Sequence, residues 1–483
     1  MTCFPCKVFI IISLIFIVSS CEDSPNLPVV SRDGKIALCL HEDGTYKVIN
    51  KSEENTEIFV TDGDGSFLKR LTWHKTYKNW LAWSSDGKKL TFVEDKKSLW
   101  VVDEQTLQRE ELLTIDKGEI WSPCWSPDGK KIAYFVCEKD SEGLFDLYVV
   151  DYRTKKAKQI LKDTSPPAKW TLDGKQIITL ESSLTEQQKG EKIKSYFPGN
   201  IKIESGDYLP VNIVTVNLKK GQKQKLASGT IVFLYTLFDL SSSGKELFIF
   251  FADKIPDNEL IPPLCNNLYR INLETKEKIR LTNFPEDENT FRGMYLSCSS
   301  HSDQILYLNV PELDGTSEDK RIKFSITVMS PNGTPREIIK AVDPVEDAHA
   351  VVILPIWVGK DRILYNNFRT EEEKPGVFGV LNVFDINEKS TFDLTKKIKE
   401  EYPEARGKIE IKVPDDLQKR IDELINQLGA DEWKICKKAT KELIKIEAPA
   451  IPSLKKALKD PDPEVRMRAR FILKEFGVPI GKH

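Results

Sequence analysis

Residues 125–135 read WSPDGKKIAYF. Pro127 holds φ near −65°, which excludes a type I′ turn, because that turn needs positive φ at its first central position. The stretch fits a type I turn with Pro127 first and Asp128 second, followed by Gly129 in the left-handed region as a G1 bulge. It is therefore a β-hairpin, with Trp125 and Ile132 on its two strands and Lys130 and Lys131 at the solvated turn end. The phrase returns as WSSDGKKLTF at 83–92 and WTLDGKQIIT at 170–179. Weaker copies are SRDGKIAL (31–38), LSSSGKELFIF (240–250), CSSHSDQILYL (298–308) and WVGKDRILYN (357–366).

Each copy is followed by a second alternating pair of runs, such as DLYVVDYRTKKAKQIL after the third. Four short strands per unit, repeated every ~40–45 residues, are the signature of propeller blades. A blade cannot bury both faces alone, so the units must stack radially and the ring must close. Trp83, Trp125, Trp170 and Trp357 share one phase of the repeat, which predicts core packing between blades. Seven units predict seven blades; the weakly marked first strand of the first unit leaves six or eight open.

The phrase W-S-P-D-G-K-K-I-A-Y-F with D-L-Y-V-V-D after it resembles the WD-repeat-like propeller repeat of the TolB family, over roughly residues 28–398. The second and third units match best. The resemblance implies a propeller. It leaves function open, because relatives of this repeat occur in periplasmic scaffolds, in the propeller caps of prolyl-oligopeptidase-like peptidases and in polysaccharide-active propellers. The separate α/β domain that precedes the propeller in TolB has no counterpart here.

The 483 residues are 40% hydrophobic and 30% charged, a globular balance. A net charge of −3 gives no global basic footprint for nucleic acid, and mean hydropathy is −0.36. The N-terminus departs from this. Lys7 precedes VFIIISLIFIVSS, too short to span a bilayer and ending in small residues, as in a secretory signal. Val18-Ser19-Ser20-Cys21 resembles the bacterial lipobox, which implies cleavage after residue 20 and lipid attachment at Cys21. Six of the nine cysteines lie beyond it, at 39, 124, 137, 265, 298 and 436, without a CxxC pair. The turn sets Cys124 opposite about residue 133 rather than 137, so buried free thiols are expected.

Insertions at 181–210, 252–266, 310–323 and 369–376 fall between the second and third strands of units four to seven. Strand direction alternates, so these four loops share one face of the ring. Within them Tyr196, Phe197, Ile261 and Leu264, with Pro198 and Pro262, are apolar anchors among charged residues and form the candidate partner-binding set. After residue 413 the period becomes helical. Leu417, Ile421, Leu424 and Leu428 form one stripe and Cys436, Ala439, Leu443 and Ile446 the next. The tail resembles HEAT repeats in its D-P-x-V-R-x-R-A-like phrase. The implied organisation is signal peptide 1–20, linker 21–27, propeller 28–398, linker 399–413 and HEAT-like helices 414–483.

No G-x-S-x-G elbow, H-E-x-x-H or P-loop occurs. His41, His74, His301, His349 and His483 are scattered, and Asp62-Gly63-Asp64-Gly65 fits a hairpin turn better than a calcium loop. No catalytic, cofactor or metal residue is assigned. The expectation is a non-enzymatic, membrane-anchored scaffold or protein-binding lipoprotein of the bacterial periplasm or cell surface, with no nucleic acid partner. The alternative is a propeller-type enzyme, or a peptidase-associated propeller, acting on envelope polysaccharide or peptide.

Overall fold

The computed structural model describes residues 23–25, 27–41, 44–51, 55–74, 76–138, 144–183, 208–232, 238–252, 267–284, 293–309, 324–342, 353–370, 377–405 and 413–478. The chain is a mainly β protein, a propeller followed by a small helical segment. The described strands form six antiparallel sheets, and the pairing within them follows the seven four-strand units of the sequence, with two further strands added to the sheet of the seventh. Units three and four are joined into one sheet by the 14-residue strand Ala157–Trp170, which ends the third unit and begins the fourth. Consecutive units touch, and the first strand of unit seven, Ile353–Val358, returns to the first strand of unit one, Val29–Val30.

The opening phrase folds as expected. Gly129 N donates to Ser126 O at 2.9 Å, Gly129 has φ +66°, and Ser126 N donates to Lys131 O at 2.8 Å. The Ser126 hydroxyl, whose role was not anticipated, locks the turn: it donates to Asp128 Oδ1 (2.7 Å) and accepts from Lys131 N (2.9 Å). Ser84 with Asp86, and Thr171 with Asp173, repeat the device. The Asp of VVD has its own task. Asp151 Oδ1 accepts from Thr154 N, and Asp103, Asn217, Asn272 and Asp385 cap the corresponding turns in four other units.

Trp125 and Trp170 are buried and Trp83 half-buried, each in a cluster shared by adjacent units. Trp83 Nε1 donates to Val29 O (3.3 Å) and Trp170 Nε1 to Cys124 O (3.2 Å), so each indole also ties its unit to the inner strand before it. Cys124 pairs with Ala133, as the turn requires, and Cys124 and Cys137 are not joined in a disulfide. Cys39 and Cys436 are buried, whereas Cys124, Cys137 and Cys298 are only half-buried; Cys265 lies outside the described residues.

Two linker readings need correction. Residues 23–25 form a strand, Asp23–Pro25, that pairs with Lys47–Lys51, which in turn pairs with the start of Val377–Asp385 in unit seven. Residues 399–405 complete helix α1, Leu394–Ala405. Leu394, Ile398 and Tyr402 follow one another at i+4 and are buried among Ile36, Leu38 and Phe59 of unit one and Leu381 and Val383 of unit seven. Helix α1 thus seals the seam between the last unit and the first. Tyr402 Oη donates to His41 O at 3.2 Å, and Gly44, at φ +81°, lies so close that a Cβ there would sit 2.6 Å from the Tyr402 ring.

The helical segment comprises α2 (Asp415–Gln427), α3 (Trp433–Ile446), α4 (Ile451–Ala457) and α5 (Pro463–Glu475). Ile421, Leu424, Leu428, Cys436, Ala439 and Leu443 are buried, while Leu417 and Ile446 are half-buried. Asp462 caps α5 by accepting from Glu464 N (2.8 Å), with Pro463 in its first turn, and Gly477 ends it at φ +62°. The segment does not stand apart. Its core is continuous with Leu71, Trp73, Leu81, Leu90, Phe92 and Leu107 of units one and two.

Candidate functional site

Cys21, Tyr196, Phe197, Ile261 and Leu264 lie outside the described residues. The strands around them are described, and they fix where the insertions leave the ring. Unit four breaks between Ser182 and Tyr208, unit five between Phe251 and Asn267, unit six between Asn309 and Phe324, and unit seven between Thr370 and Val377. All four breaks join a second strand to a third, so they open on one face of the ring. Unit two turns the same corner with residues 95–97 alone.

Inner strands bring together a second group. Lys169 Nζ meets Asp239 Oδ1 at 2.9 Å across units four and five, and Asp239 Oδ2 accepts from Cys298 N of unit six at 3.0 Å. Lys169 and Asp239 hold the same place in the repeat as Cys124, one residue before the Trp position. Burial pushes the Cys124 thiol up to about 12 and the Cys298 thiol well above its usual value, so both stay protonated near neutral pH and are weak nucleophiles. Chemically this group is an ion-pair tie between blades. The inner strands are also strained. Trp80, Ser122 and Tyr295 take left-handed φ of 50°, 44° and 51° at the bulge of each strand.

The densest charge cluster lies where the helical segment meets units one and two. Arg109 Nη1 binds Glu447 Oε1 at 2.6 Å, and its Nη2 binds Glu94 Oε1 at 3.0 Å. The guanidinium lies 4.3 Å from the Trp100 ring centroid and 5.4 Å from that of Phe92. Lys78, fully buried, meets Glu57 Oε2 at 3.4 Å, and Arg70 meets Glu57 Oε1 at 3.1 Å. Thr72 Oγ1 donates to Glu57, and Lys78 Nζ donates to His74 O. Burial pushes the Glu447 carboxyl up to about 7, against the pull of Arg109 and Lys78. Glu447 holds φ +59° as the C-cap of α3, a strained backbone for a non-glycine residue. The strain places its carboxylate on Arg109. A charged residue where a helix stop favours glycine is the one signal of this position in the sequence. His41, His74 and His301, the described histidines, belong to no common group, and among the described residues no cluster of His, Cys, Asp and Glu suits a metal ion.

The fold and this junction define the class: a β-propeller protein whose C-terminal helices are docked on the first two blades. No protein-family model matches the chain, and no curated protein matches it. Similar solved structures include TolB from Acinetobacter baumannii, at 19% identity over 69% of this chain and 68% of that one, with a TM-score of 0.40. The β-propeller domain of the Trilobed protease from Pyrococcus furiosus is 14% identical over 78% of this chain and 96% of that one, with a TM-score of 0.47. An oligogalacturonate lyase from Vibrio parahaemolyticus is 12% identical over 74% and 97%, with a TM-score of 0.46. The likeness is one of strand course and not of activity.

Proposed function

We propose that this chain is a non-enzymatic, lipid-anchored binding protein of the bacterial cell envelope, and that a protein partner docks across the loop face of units four to seven. The observation that carries the reading is the length of the chain at the corner between second and third strands, longest in units four and five (183–207 and 252–266) and next in units six and one (310–323 and 42–55), all on one face. A bare propeller offers shallow surfaces, so added loops supply specificity, and Tyr196, Phe197, Ile261 and Leu264 supply apolar anchors. The lipobox-like segment ending at Cys21 supplies the anchor, and the HEAT-like helices are a rigid side platform. Replacing residues 184–207 by a short Gly-Ser linker leaves the pairing of Ser182 with Val211 in place. Affinity capture from membranes with that variant is expected to lose the partner at an unchanged melting temperature. Partners that persist in the variant and disappear when residues 414–483 are removed would move the binding function to the helices.

A further inference from the structure

Six large apolar side chains are exposed among the described residues, and four of them belong to the short helical segment: Trp433, Ile435, Met467 and Phe471. Helices α3 and α5 pack against each other. On α3, Cys436, Ala439 and Leu443 turn inward, and Trp433, Lys434, Lys437, Lys438, Lys441 and Lys445 are exposed. On α5, Val465, Ala469, Ile472 and Leu473 turn inward, and Met467, Arg470, Phe471 and Lys474 are exposed. The two helices carry nine cationic side chains and three carboxylates, in a chain whose net charge is −3. Two of those carboxylates are already engaged: Glu464 by Arg468 at 2.5 Å and Glu442 by Lys445 at 3.7 Å. Lys437 Nζ sits 4.5 Å from the Trp433 ring centroid, so cation and aromatic share one patch.

We propose that the outer face of α3 and α5 rests on an anionic lipid surface. Trp433, Met467 and Phe471 enter the headgroup layer, and the lysines and arginines face lipid phosphates. Two features favour a membrane over an acidic protein. Protein interfaces are depleted of lysine and gather their apolar anchors at a dry centre. Here Met467 and Phe471 lie one turn apart on α5 beside Arg470 and Lys474, and Trp433 lies beside Lys437 on α3, so a few apolar and aromatic groups are set in a strongly basic face. The docking on units one and two holds the face in a fixed orientation to the ring. The inference depends on the envelope location only for its physiological setting, and the binding test is independent of it.

The test uses residues 21–483, which contain every described element, with Cys21→Ser so that no acyl chain contributes. Flotation with vesicles of mixed phosphatidylglycerol and phosphatidylcholine is expected to carry the protein, and vesicles of phosphatidylcholine alone are not. Binding should vanish near ~1 M salt, where screening falls to about 3 Å. Each of Lys437→Gln, Lys438→Gln and Lys441→Gln should lower the partition coefficient roughly fivefold. Met467→Ser with Phe471→Ser should lower it further, without moving the melting temperature. Equal binding to both vesicle types, no binding to either, or full binding by the combined variant overturns the proposal. Retention on polyglutamate beads without vesicle binding also overturns it, in favour of an acidic protein partner.

Discussion

Units two and four turn the same corner with three residues (95–97) and twenty-five residues (183–207), respectively. In unit two, Glu94 ends the second strand and is committed to Arg109, which holds Glu447 of the helical segment. An insertion there would pull the junction apart. In unit four the corresponding corner is tied within its own unit, by Ser183 N donating to Pro210 O at 3.0 Å and by Lys223 meeting Glu181 at 2.7 Å, and the chain has grown. Unit one also meets the helices and yet carries fourteen residues (42–55) at this corner, so the brace restricts the corner of unit two and not a whole side of the ring. The WSxDGKK phrase is sharpest in units two and three, weak in unit one and drifts through units four to seven.

Removing the brace is the strongest way to test that contrast. Arg109→Ala leaves Glu94 and Glu447 buried without their shared cation, a change that costs about 3–5 kcal/mol. Urea unfolding should show the loss, and limited proteolysis should cut between α1 and α2 faster than in the parent. A loss below about 1 kcal/mol would mean that the helices are held by their apolar contacts alone.

A smaller effect is expected at the turns, where units with short and long corners should behave alike. Gly129 is left-handed with nothing within 4 Å of a Cβ placed there, so Gly129→Val tests backbone strain alone, about 1–2 kcal/mol. Gly244 in unit five has φ +65°, and a Cβ there would meet the exposed Leu172 side chain at 2.4 Å. Leu172 is free to move, so Gly244→Val should cost a similar amount. A much larger loss at Gly244, measured by thermal unfolding, would show that the two units differ in their turns as well as in their loops.

Much of this was legible because turn chemistry is local. Pro127, Asp128 and Gly129 admit few backbone conformations, and the repeat multiplies the evidence. The helical stripes from Leu417 to Leu443 were legible for the same reason. Helix α1 is hard to read from sequence, although Leu394, Ile398 and Tyr402 carry its period, because the run through Thr395 reads as the last strand of unit seven and the charged run from 399 as a linker. The ion cluster was not legible, since Glu57, Lys78, Glu94, Arg109 and Glu447 come from distant parts of the chain. Only the stacking of unit two on unit one and the docking of α3 bring them together.

The subtlest expected effect is in the pH dependence of the brace. Glu447 faces Arg109 and Lys78 as cations and Glu57 and Glu94 as anions, with His74 beside Glu94. Its carboxyl is raised to about 7 in the folded chain from an ordinary value near 4.5. Between those values the folded state binds more proton than the unfolded state, so stability falls as pH rises through this window and levels off above about 7. Burial lowers the His74 pKa, and its contribution runs the other way: stability is lost as pH falls below the ordinary histidine value. The observed curve is therefore a sum, and the informative quantity is the difference between the parent and Glu447→Gln. The glutamine keeps an oxygen for Arg109 but cannot titrate, while His74 contributes to both proteins. The parent's stability relative to the variant should decline from pH 5 to pH 7, with the helical segment responding more than the turns of units four to seven. Parallel melting curves for the two proteins across this range would show that Glu447 is ionised throughout and that Arg109 outweighs its burial.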